Sequence, residues 1–212
     1  MRKESSYGGA NVAFECHKCK QYGLGFNRKY SPSQFLEGKI NSPVWIIGLN
    51  PKGSPDKVDL HSADELQNSL DGEIHSYFND FMTVSRGLYN LLGKDKGVAH
   101  TDIVKCYSNK FPPAGCNSKD MNVIVDNCRD YLENQIRKFT PKIIICNGAP
   151  VCKVIRSIIP PPKGNNITSY IGNIHGGEVV VILSGFVGRI DNYAKWRLGK
   201  EIESYMDMYN IP

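Results

Sequence analysis

Short, wholly apolar runs separated by helix-like segments constrain the fold of this chain more than any other feature. One run, from Val44 to Leu49, is rich in β-branched residues and ends at a turn that begins with Asn50. Three more strand candidates follow, at residues 99–106, 142–146 and 179–183. A strand that is apolar on both faces is typical of a parallel sheet covered by helices on both sides. The runs therefore predict a buried, mostly parallel sheet of four strands.

Segments with helical periodicity lie between and after these strands. Apolar residues recur three and four positions apart from Phe81 to Leu92 and again from Met121 to Ile136. A short helix up to about Ile159 and a last helix from about Asp191 to Met208 complete the pattern. Strands that alternate with helices predict an α/β fold, here a three-layer α/β/α sandwich around the central four-stranded sheet.

Composition limits the compartment and the partners. The polar start Met-Arg-Lys-Glu-Ser-Ser is followed by no apolar run of the length that a signal or a membrane span needs, so we expect neither. Seven cysteines in such a chain favour a reducing compartment, where a CxxC pair indicates a metal or redox site. The net charge of +5 hints at a polyanionic partner. We expect a cytoplasmic monomer with one domain, residues 1–212, whose residues 1–40 form an N-terminal arm.

Four cysteines are positioned to share one metal site. Cys16 and Cys19 form a CxxC pair in the arm, Cys106 closes a predicted strand, and Cys128 lies on a predicted helix. Four thiolates suit zinc or an iron–sulfur cluster, and the ligand types alone do not separate the two. Cys116 is an alternative to either of the later ligands. The pattern predicts a metal clip that holds the arm to the core.

Polar residues stand at the carboxyl ends of the predicted strands, where parallel sheets bind their ligands. Asn50 follows the first strand, Asp102 belongs to the second, and Asn147 and Ser184 follow the third and fourth. An amide orients water, and a carboxylate accepts hydrogen bonds from a ligand. We therefore expect the functional site at this edge of the sheet.

Taken in order, these motifs resemble the iron–sulfur branch of the uracil-DNA glycosylase superfamily over nearly the whole chain. Five segments carry the resemblance: the CxxC of Cys16 and Cys19, Ile46-Ile47-Gly48-Leu49-Asn50-Pro51, Thr101 to Cys106, Asp126 to Leu132, and Pro141 to Ala149. The resemblance implies an α/β/α sandwich that hydrolyses N-glycosidic bonds in DNA. It also implies a [4Fe–4S] cluster on Cys16, Cys19, Cys106 and Cys128, with zinc as the alternative cofactor.

The chain departs from that branch at three places. Leu49 occupies a position that is usually acidic there, and Gly-Leu-Asn-Pro is more similar to the mismatch-specific and single-strand-selective branches, whose Asn positions the attacking water. By that match Asn50 takes this role. Asp102 stands where the family carries an Asn that reads the edge of uracil. The late His-Pro-Ser motif, whose His stabilises the departing base, is missing, and residues 183–189 take its place.

The resemblance implies a monofunctional DNA glycosylase of base-excision repair that releases a flipped-out damaged or deaminated base. An ionised carboxylate only accepts hydrogen bonds, whereas uracil presents an acceptor at O4, so Asp102 favours a base with an exocyclic amine or a modified base. The expected partner is double- or single-stranded DNA with a damaged base, and no membrane; in a prokaryote the protein would be nucleoid-associated. The implied catalytic residues are Asn50 and Asp102. The implied base-binding residues are Gly48, Leu49, Pro51, Phe81, Asn147 and Ser184. The implied DNA-binding residues are Lys52, Phe186, Arg189 and Lys195.

Two other functions fit the same motifs. Leu49 and the missing late His favour a catalytically inactive nucleic-acid-binding protein on the same scaffold. A zinc-clipped enzyme that acts on free nucleosides is a third interpretation. His175 is a weak candidate to replace the missing His, since it lies in a predicted hairpin before the last strand, and His100 is interpreted as structural or solvent-exposed.

Overall fold

The computed structural model describes residues 14–53, 62–70, 76–162, 167–174 and 176–212. In chain order the strands are β1 (Phe14–Cys16), β2 (Phe26–Arg28), β3 (Val44–Gly48), β4 (Val98–Asp102), β5 (Ile143–Asn147), β6 (Ser169–Ile174) and β7 (Gly177–Ser184). The α-helices are α1 (Ala63–Gln67), α2 (Asn79–Val84), α3 (Arg86–Asn90), α4 (Ser118–Phe139), α5 (Ala149–Ile158) and α6 (Asn192–Met208).

Among the described residues the main sheet has five strands, in the order β4-β3-β5-β7-β6. Strands β4, β3, β5 and β7 are parallel, with Gly48 opposite Asp102 and Asn147 opposite Ser184. The predicted α/β class and parallel core are confirmed, but the prediction of four strands is wrong, because β6 pairs antiparallel with β7 at one edge. Strand β6 alternates buried and exposed side chains, so it lacks the wholly apolar run that identified the other strands.

Alternate side chains of the buried strands face two separate helix layers. Trp45 and Ile47 pack with α4 and α5 on one side of the sheet. Val44 and Ile46 pack with α2, α3 and α6 on the other. All four side chains are fully buried. Burial of apolar surface is worth about 25 cal/mol per Å², so a run that is apolar on both faces is stabilised only in the middle layer of a sandwich.

The segment predicted as one helix from Phe81 to Leu92 folds as two. Ser85 has an extended backbone, with φ −156° and ψ 123°, which ends α2 and precedes α3. Its hydroxyl accepts a hydrogen bond from the Leu88 amide at 3.2 Å, as an N-cap serine does. The apolar spacing survives the break because both helices bury their apolar residues in the same cluster as α6.

Helix α4 brings Cys128 to the arm, and local sequence fixes both of its ends. The Asn117 side chain accepts hydrogen bonds from amides of the first turn, while the Asp120 carboxylate accepts one from the Asn117 amide. At the other end Thr140 adopts the left-handed conformation, with φ 46°, and a proline follows. The helix therefore stops before the proline, as predicted.

The described part of the N-terminal arm packs on the same core as the sheet. Strands β1 and β2 form an antiparallel pair, and Phe26 joins the hydrophobic cluster that contains Trp45. The carbonyl of Phe35 accepts hydrogen bonds from Thr101 Oγ1 and Gln135 Nε2, both at 2.6 Å. These bonds connect the arm to β4 and α4. Residues 1–13 lie outside the described residues.

A helix that crosses a bilayer needs about 20 mostly apolar residues. Within the described ranges none is both long and apolar enough to cross a membrane.

Candidate active site at the strand tips

The turn after β3 is held by hydrogen bonds to the segment that follows β4. Three backbone amides of that segment donate to carbonyls of the turn at 3.0 to 3.1 Å: Ile103 to Gly48, Val104 to Leu49, and Ser108 to Pro51. The turn and the chain after Asp102 therefore form one continuous backbone unit at the edge of the sheet.

The side chain of Asn50 is oriented by two backbone carbonyls. Its Nδ2 donates to the carbonyl of Pro51 at 3.0 Å and to that of Ser108 at 3.1 Å. Because both partners are acceptors, the amino group of the amide must face them, and Oδ1 faces the other way. Asn50 is half-buried. Its oxygen points away from both carbonyls and can accept a hydrogen bond.

Asp102, opposite Gly48 at the end of β4, is buried beside a histidine. Asp102 is 2% exposed and His100 is 5% exposed. His100 Nε2 lies 3.9 Å from Asp102 Oδ1, and His100 Nδ1 lies 2.6 Å from Glu37 Oε2. In the part of the chain that the structure describes, His100 Nε2 and Asp102 Oδ2 have no hydrogen-bond partner. Buried polar atoms are normally paired, so these two atoms mark a place that a ligand or water would complete.

Burial and neighbouring charges set the ionisation of this group. Burial raises the pKa of Asp102 to about 6, with His100 opposing the rise, Glu37 adding to it, and Lys105 opposing it. Burial lowers the pKa of His100, but Asp102 and Glu37 raise it by more, and the net shift is upward. At neutral pH the site therefore combines an ionised Asp102 with a histidine of increased proton affinity.

Three polar atoms converge on Gly48. A Cβ at this position would lie 2.3 Å from Asp102 Oδ1, 3.1 Å from His100 Nε2 and 3.2 Å from Tyr77 Oη. The glycine is needed because these groups fill the space of a side chain, and its φ is not in the left-handed region. Burial raises the pKa of Tyr77 well above its ordinary value, so this hydroxyl stays protonated.

Asn147 and Ser184, both expected to bind the base, are engaged within the protein. Asn147 Nδ2 donates to Tyr77 Oη at 2.6 Å, and Asn147 Oδ1 accepts from the Val187 amide at 2.8 Å. The Ser184 hydroxyl donates to the carbonyl of Gly185 at 2.8 Å. These residues connect the tips of β5 and β7 to the loop before α6, and they shape the wall of the site.

Phe81, expected to stack on a flipped base, lies in the core and is 1% exposed. In this structure its ring is not available to a ligand. Tyr77 lies next to it, with ring centroids 6.3 Å from Phe81, 5.3 Å from His100 and 6.5 Å from Phe186. The aromatic residue whose hydroxyl reaches the polar cluster is therefore Tyr77.

The residues expected to contact DNA divide between the surface and the interior. Lys52, Phe186 and Arg189 are exposed, and the Arg189 guanidinium lies 6.0 Å from the centre of the Phe186 ring. Lys195 is 8% exposed, and its ammonium lies 2.7 Å from the Asp80 carboxylate. The structure therefore does not place Lys195 at a DNA-facing surface; its ion pair connects α6 to α2.

In the predicted clip, the other three cysteines lie near enough to Cys106 to raise its pKa. A hydrogen bond between Cys106 and Cys128 raises the pKa of Cys106 and lowers that of Cys128 to about 7. Cys19 and Cys16 raise the pKa of Cys106 further. Cys19, Cys106 and Cys128 are buried. Both halves of the predicted clip thus meet at one place.

Two polar side chains donate hydrogen bonds to sulfur atoms of the predicted clip. Asn127 Nδ2 donates to Cys19 Sγ at 3.4 Å, and the Tyr131 hydroxyl donates to Cys16 Sγ at 3.8 Å. Within the described residues, no group of three or more His, Cys, Asp and Glu side chains is arranged to hold a metal ion. Four thiol donors with such hydrogen bonds are chemically compatible with a cluster or with zinc.

Two surface cavities lined by described residues lie away from the strand tips. One of about 330 Å³ borders the β1–β2 hairpin, and one of about 500 Å³ lies between α2, α3 and α6. Residues 54–61 and 71–75, which flank the site in sequence, and His175 lie outside the described residues. The suggested role of His175 therefore stays untested.

Sequence analysis missed the parts played by His100 and Glu37. His100 was interpreted as structural or exposed; it is buried, and it lies beside Asp102. The sequence did contain a signal for this neighbour, because residues two apart in a strand, such as His100 and Asp102, point to the same face. Glu37 gave none: it reaches His100 through a two-way backbone bridge between distant segments, with amide-to-carbonyl distances of 2.9 and 2.7 Å.

The same strand tips fall within a match to a known family. The model of the uracil DNA glycosylase superfamily matches residues 35–193, which include the whole main sheet and the polar cluster. Cys16 and Cys19 precede the matched range, so the match does not test the iron–sulfur branch. No match to a curated protein was found. The parallel sheet, the Gly48-Leu49-Asn50-Pro51 turn at its edge and the family match agree, and the chain belongs to the uracil DNA glycosylase superfamily.

Proposed function

We propose that the protein is a monofunctional DNA glycosylase that hydrolyses the N-glycosidic bond of a flipped-out damaged or deaminated base. Membership of the superfamily supports this class of reaction. The observation that carries the proposal is the pair of hydrogen bonds that fixes the Asn50 amide at the strand tips.

In the proposed reaction a water molecule replaces the base on the sugar. As the C1′–N bond breaks, positive charge develops on the deoxyribose and the base departs with the bonding electrons. Asn50 Oδ1 accepts a hydrogen bond from the water and holds it towards C1′. Oxygen then bonds to C1′, and the proton that the water loses neutralises the departing base. Loss of a contact that positions a reactant in this way costs about 10²-fold in rate.

The state of Lys105 supports hydrolysis rather than an imine mechanism. Burial lowers the pKa of Lys105 to about 7, which would suit a nucleophile. Its ammonium, however, is 1% exposed and donates to Thr101 Oγ1 at 2.8 Å and Gln135 Oε1 at 2.9 Å. These two hydrogen bonds hold the buried lysine within the protein.

The choice of base is proposed to depend on Asp102. An ionised carboxylate accepts from an exocyclic amine such as N4 of cytosine and repels O4 of uracil. Asp102 Oδ2 is buried and unpaired among the described residues, so it has the capacity to accept such a bond. The proposed substrate is therefore a base with an exocyclic amine, or a modified base, rather than plain uracil.

The clip is proposed to hold a [4Fe–4S] cluster on Cys16, Cys19, Cys106 and Cys128, with zinc as the alternative. When bound, the cluster would crosslink the arm, the segment after β4 and α4 without taking part in bond breaking. The convergence of the buried thiols supports this assignment.

Base release from synthetic oligonucleotides tests the proposed function. Wild-type protein, Asn50→Ala and the control Asn122→Ala, an exposed asparagine on α4, are incubated with single- and double-stranded oligonucleotides that carry uracil, cytosine, hypoxanthine or a damaged base. We expect release of at least one base, lost about 100-fold or more in Asn50→Ala and kept in Asn122→Ala. Release that does not depend on Asn50, or no release from any substrate, contradicts the proposal.

One observation favours a catalytically inactive nucleic-acid-binding protein instead. The loop that replaces the late His motif contains no histidine, and its Ser184 hydroxyl is bonded to a neighbouring carbonyl. The same oligonucleotides separate the two functions, because a binding protein would bind the DNA but would release no base in an Asn50-dependent way. Release from free nucleosides alone would favour a nucleosidase. In either DNA role we propose a cytoplasmic monomer, which in a prokaryote would be associated with the nucleoid.

A further inference from the structure

Two aromatic side chains on α6 are stacked on each other and exposed to solvent. Tyr193 is 69% exposed and Trp196 is 55% exposed. Their ring centroids are 6.0 Å apart and their planes differ by 24°. Large aromatic surfaces are usually buried, so a pair held in parallel at the surface indicates a binding role.

The position of the pair relates it to the candidate active site. Helix α6 follows β7, and Asp191 caps its start by accepting a hydrogen bond from the Ala194 amide at 2.9 Å. A helix that follows a parallel strand begins at the edge where that strand ends. Tyr193 and Trp196 therefore lie in the first turns of α6, after the connecting loop that carries the exposed Phe186.

Charge around the pair favours a polyanion. Tyr193, Trp196, Arg197 and Lys200 are spaced as neighbours on one face of the helix. In the described part of the chain no carboxylate lies within ion-pair distance of Arg86, Arg189 or Arg197, while Lys200 pairs with Glu203 at 2.9 Å. The acidic residues of α6 lie in its second half, at Glu201, Glu203 and Asp207. Apart from Asp191 at its cap, the first half of the helix therefore carries only basic charges.

Packing beneath the pair holds the helix in place. A Cβ at Gly199 would lie 1.8 Å from the Val84 carbonyl oxygen, so α6 and α2 approach too closely for any other residue. The partly buried Lys195–Asp80 ion pair joins the same helices. On its other side Trp196 borders the cavity of about 500 Å³, together with Met82 and Arg86. Because α6 is held in place, presenting both rings to a ligand would cost little conformational entropy.

We propose that Tyr193 and Trp196 form a stacking platform for unpaired DNA bases next to the target nucleotide. The proposal takes its partner class, DNA, from the proposed function, but it does not require catalysis. Bases stack on exposed aromatic rings while basic side chains hold the phosphates, and this mode tolerates any sequence. A symmetric contact with a second copy is disfavoured, because it would place Arg197 against the same cations of the other chain.

Intrinsic fluorescence reports this contact directly. The chain has two tryptophans, and Trp45 is fully buried in the core, so a DNA base that stacks on the surface quenches Trp196 alone. Undamaged oligothymidylate is titrated into wild-type protein, with polyphosphate as a polyanion without bases and with an undamaged duplex. We expect quenching by oligothymidylate, none by polyphosphate, and less by the duplex.

Variants separate stacking from general affinity. Trp196→Ala and Tyr193→Ala should each weaken oligothymidylate binding about 5- to 100-fold, measured by anisotropy of a labelled oligonucleotide. Trp196→Phe should restore most of the affinity. The control is Met208→Ala, another exposed apolar side chain on the same helix, 60% exposed at its far end. Equal affinity of Trp196→Ala and Met208→Ala, or quenching by polyphosphate alone, would overturn the platform.

The outcome is independent of base release. If the platform binds DNA but no base is released, the glycosylase proposal fails and the platform stands. If base release depends on Asn50 but Trp196→Ala binds DNA normally, the platform fails and the glycosylase stands. Protein that dimerises through this face, shown by sedimentation that shifts with concentration in wild type and not in Trp196→Ala, would also overturn it.

Discussion

His100 Nε2 lies 3.9 Å from Asp102 Oδ1, and both side chains are almost completely buried. The distance is too long for a hydrogen bond but short enough for a strong charge interaction in a poorly solvated site. Glu37 holds the opposite nitrogen of the imidazole at 2.6 Å. The pair therefore connects the arm to the carboxylate that is proposed to select the base.

Replacement of that carboxylate by its amide should change the preferred base. Asp102→Asn gains a donor that suits O4 of uracil and loses the charge that favours an exocyclic amine. A good base contact is worth about 1 to 3 kcal/mol of discrimination, so we expect the ratio of kcat/KM for uracil to that for the amine-bearing substrate to rise about 10- to 100-fold. The measurement is base release from matched oligonucleotides.

The control for that change is Asp207→Asn, which neutralises an exposed carboxylate far along α6. It should leave the ratio as in wild type. Efficient uracil release by the wild-type protein, unaltered in Asp102→Asn, would show that Asp102 does not select the base.

The same preference should depend on pH. Burial raises the pKa of Asp102 to about 6, so the carboxyl is ionised at pH 7.5 and mostly neutral at pH 5. A neutral carboxyl group both donates and accepts, as an amide does. Uracil release relative to release of the amine-bearing base should therefore rise about 10-fold or more as the pH falls from about 7.5 to about 5.

In that experiment the ratio of the release rates of the two bases reports on Asp102 alone. Titration of His100, whose pKa is also raised, alters the rates with both substrates, while the ratio follows the group that contacts the base. The ratio should be flat with pH in Asp102→Asn. A flat ratio in the wild type would contradict the prediction.

Gly48→Ala should destabilise the fold and disturb the site. The new Cβ would lie 2.3 Å from Asp102 Oδ1, so the buried carboxylate must move. Overpacking of this kind costs about 1 to 3 kcal/mol in the free energy of unfolding. We expect a lower urea midpoint and slower base release.

Gly87→Ala is the matched substitution. That glycine lies on the exposed side of α3, and an added Cβ would meet nothing closer than Ser85 Oγ at 3.6 Å. Alanine is the better helix former, so the free energy of unfolding should stay the same or rise by up to about 1 kcal/mol. Equal urea midpoints for the two variants would show that the polar cluster does not restrict residue 48.

Loss of one clip thiol should remove the metal and loosen the arm. Cys128→Ser takes away a buried ligand, whereas Cys116→Ser removes a cysteine outside the proposed set. Protein purified without oxygen should contain about four irons and inorganic sulfide per chain if the cluster is present. We expect Cys128→Ser to lose this iron and to unfold at a lower temperature, and Cys116→Ser to keep both.

Metal analysis of the same samples also decides between the cofactors. About one zinc per chain in the wild type, lost in Cys128→Ser, would replace the cluster by the zinc alternative. Equal loss of metal in Cys116→Ser would show that Cys116 is one of the ligands. Wild-type protein without bound metal would overturn the proposed clip.

Much of the fold was open to prediction because its signals are local. Five consecutive residues, Val44 to Gly48, are enough to indicate a buried strand. The start of α4 also has a local signal, because Asn117 caps it. Strand β6 escaped because an edge strand is half exposed and carries no apolar run. The break at Ser85 escaped because two short helices against one partner keep the spacing of a single helix.

The sequence by itself determined the layered α/β architecture and the edge of the sheet at which Asn50 and Asp102 stand, since both follow from periodicity within a few residues. Only the tertiary structure decided which polar groups meet there. Glu37 reaches His100 across 63 positions, and Asn147 reaches Tyr77 across 70. Such contacts arise from the closure of distant segments around a shared core, and no local pattern encodes them.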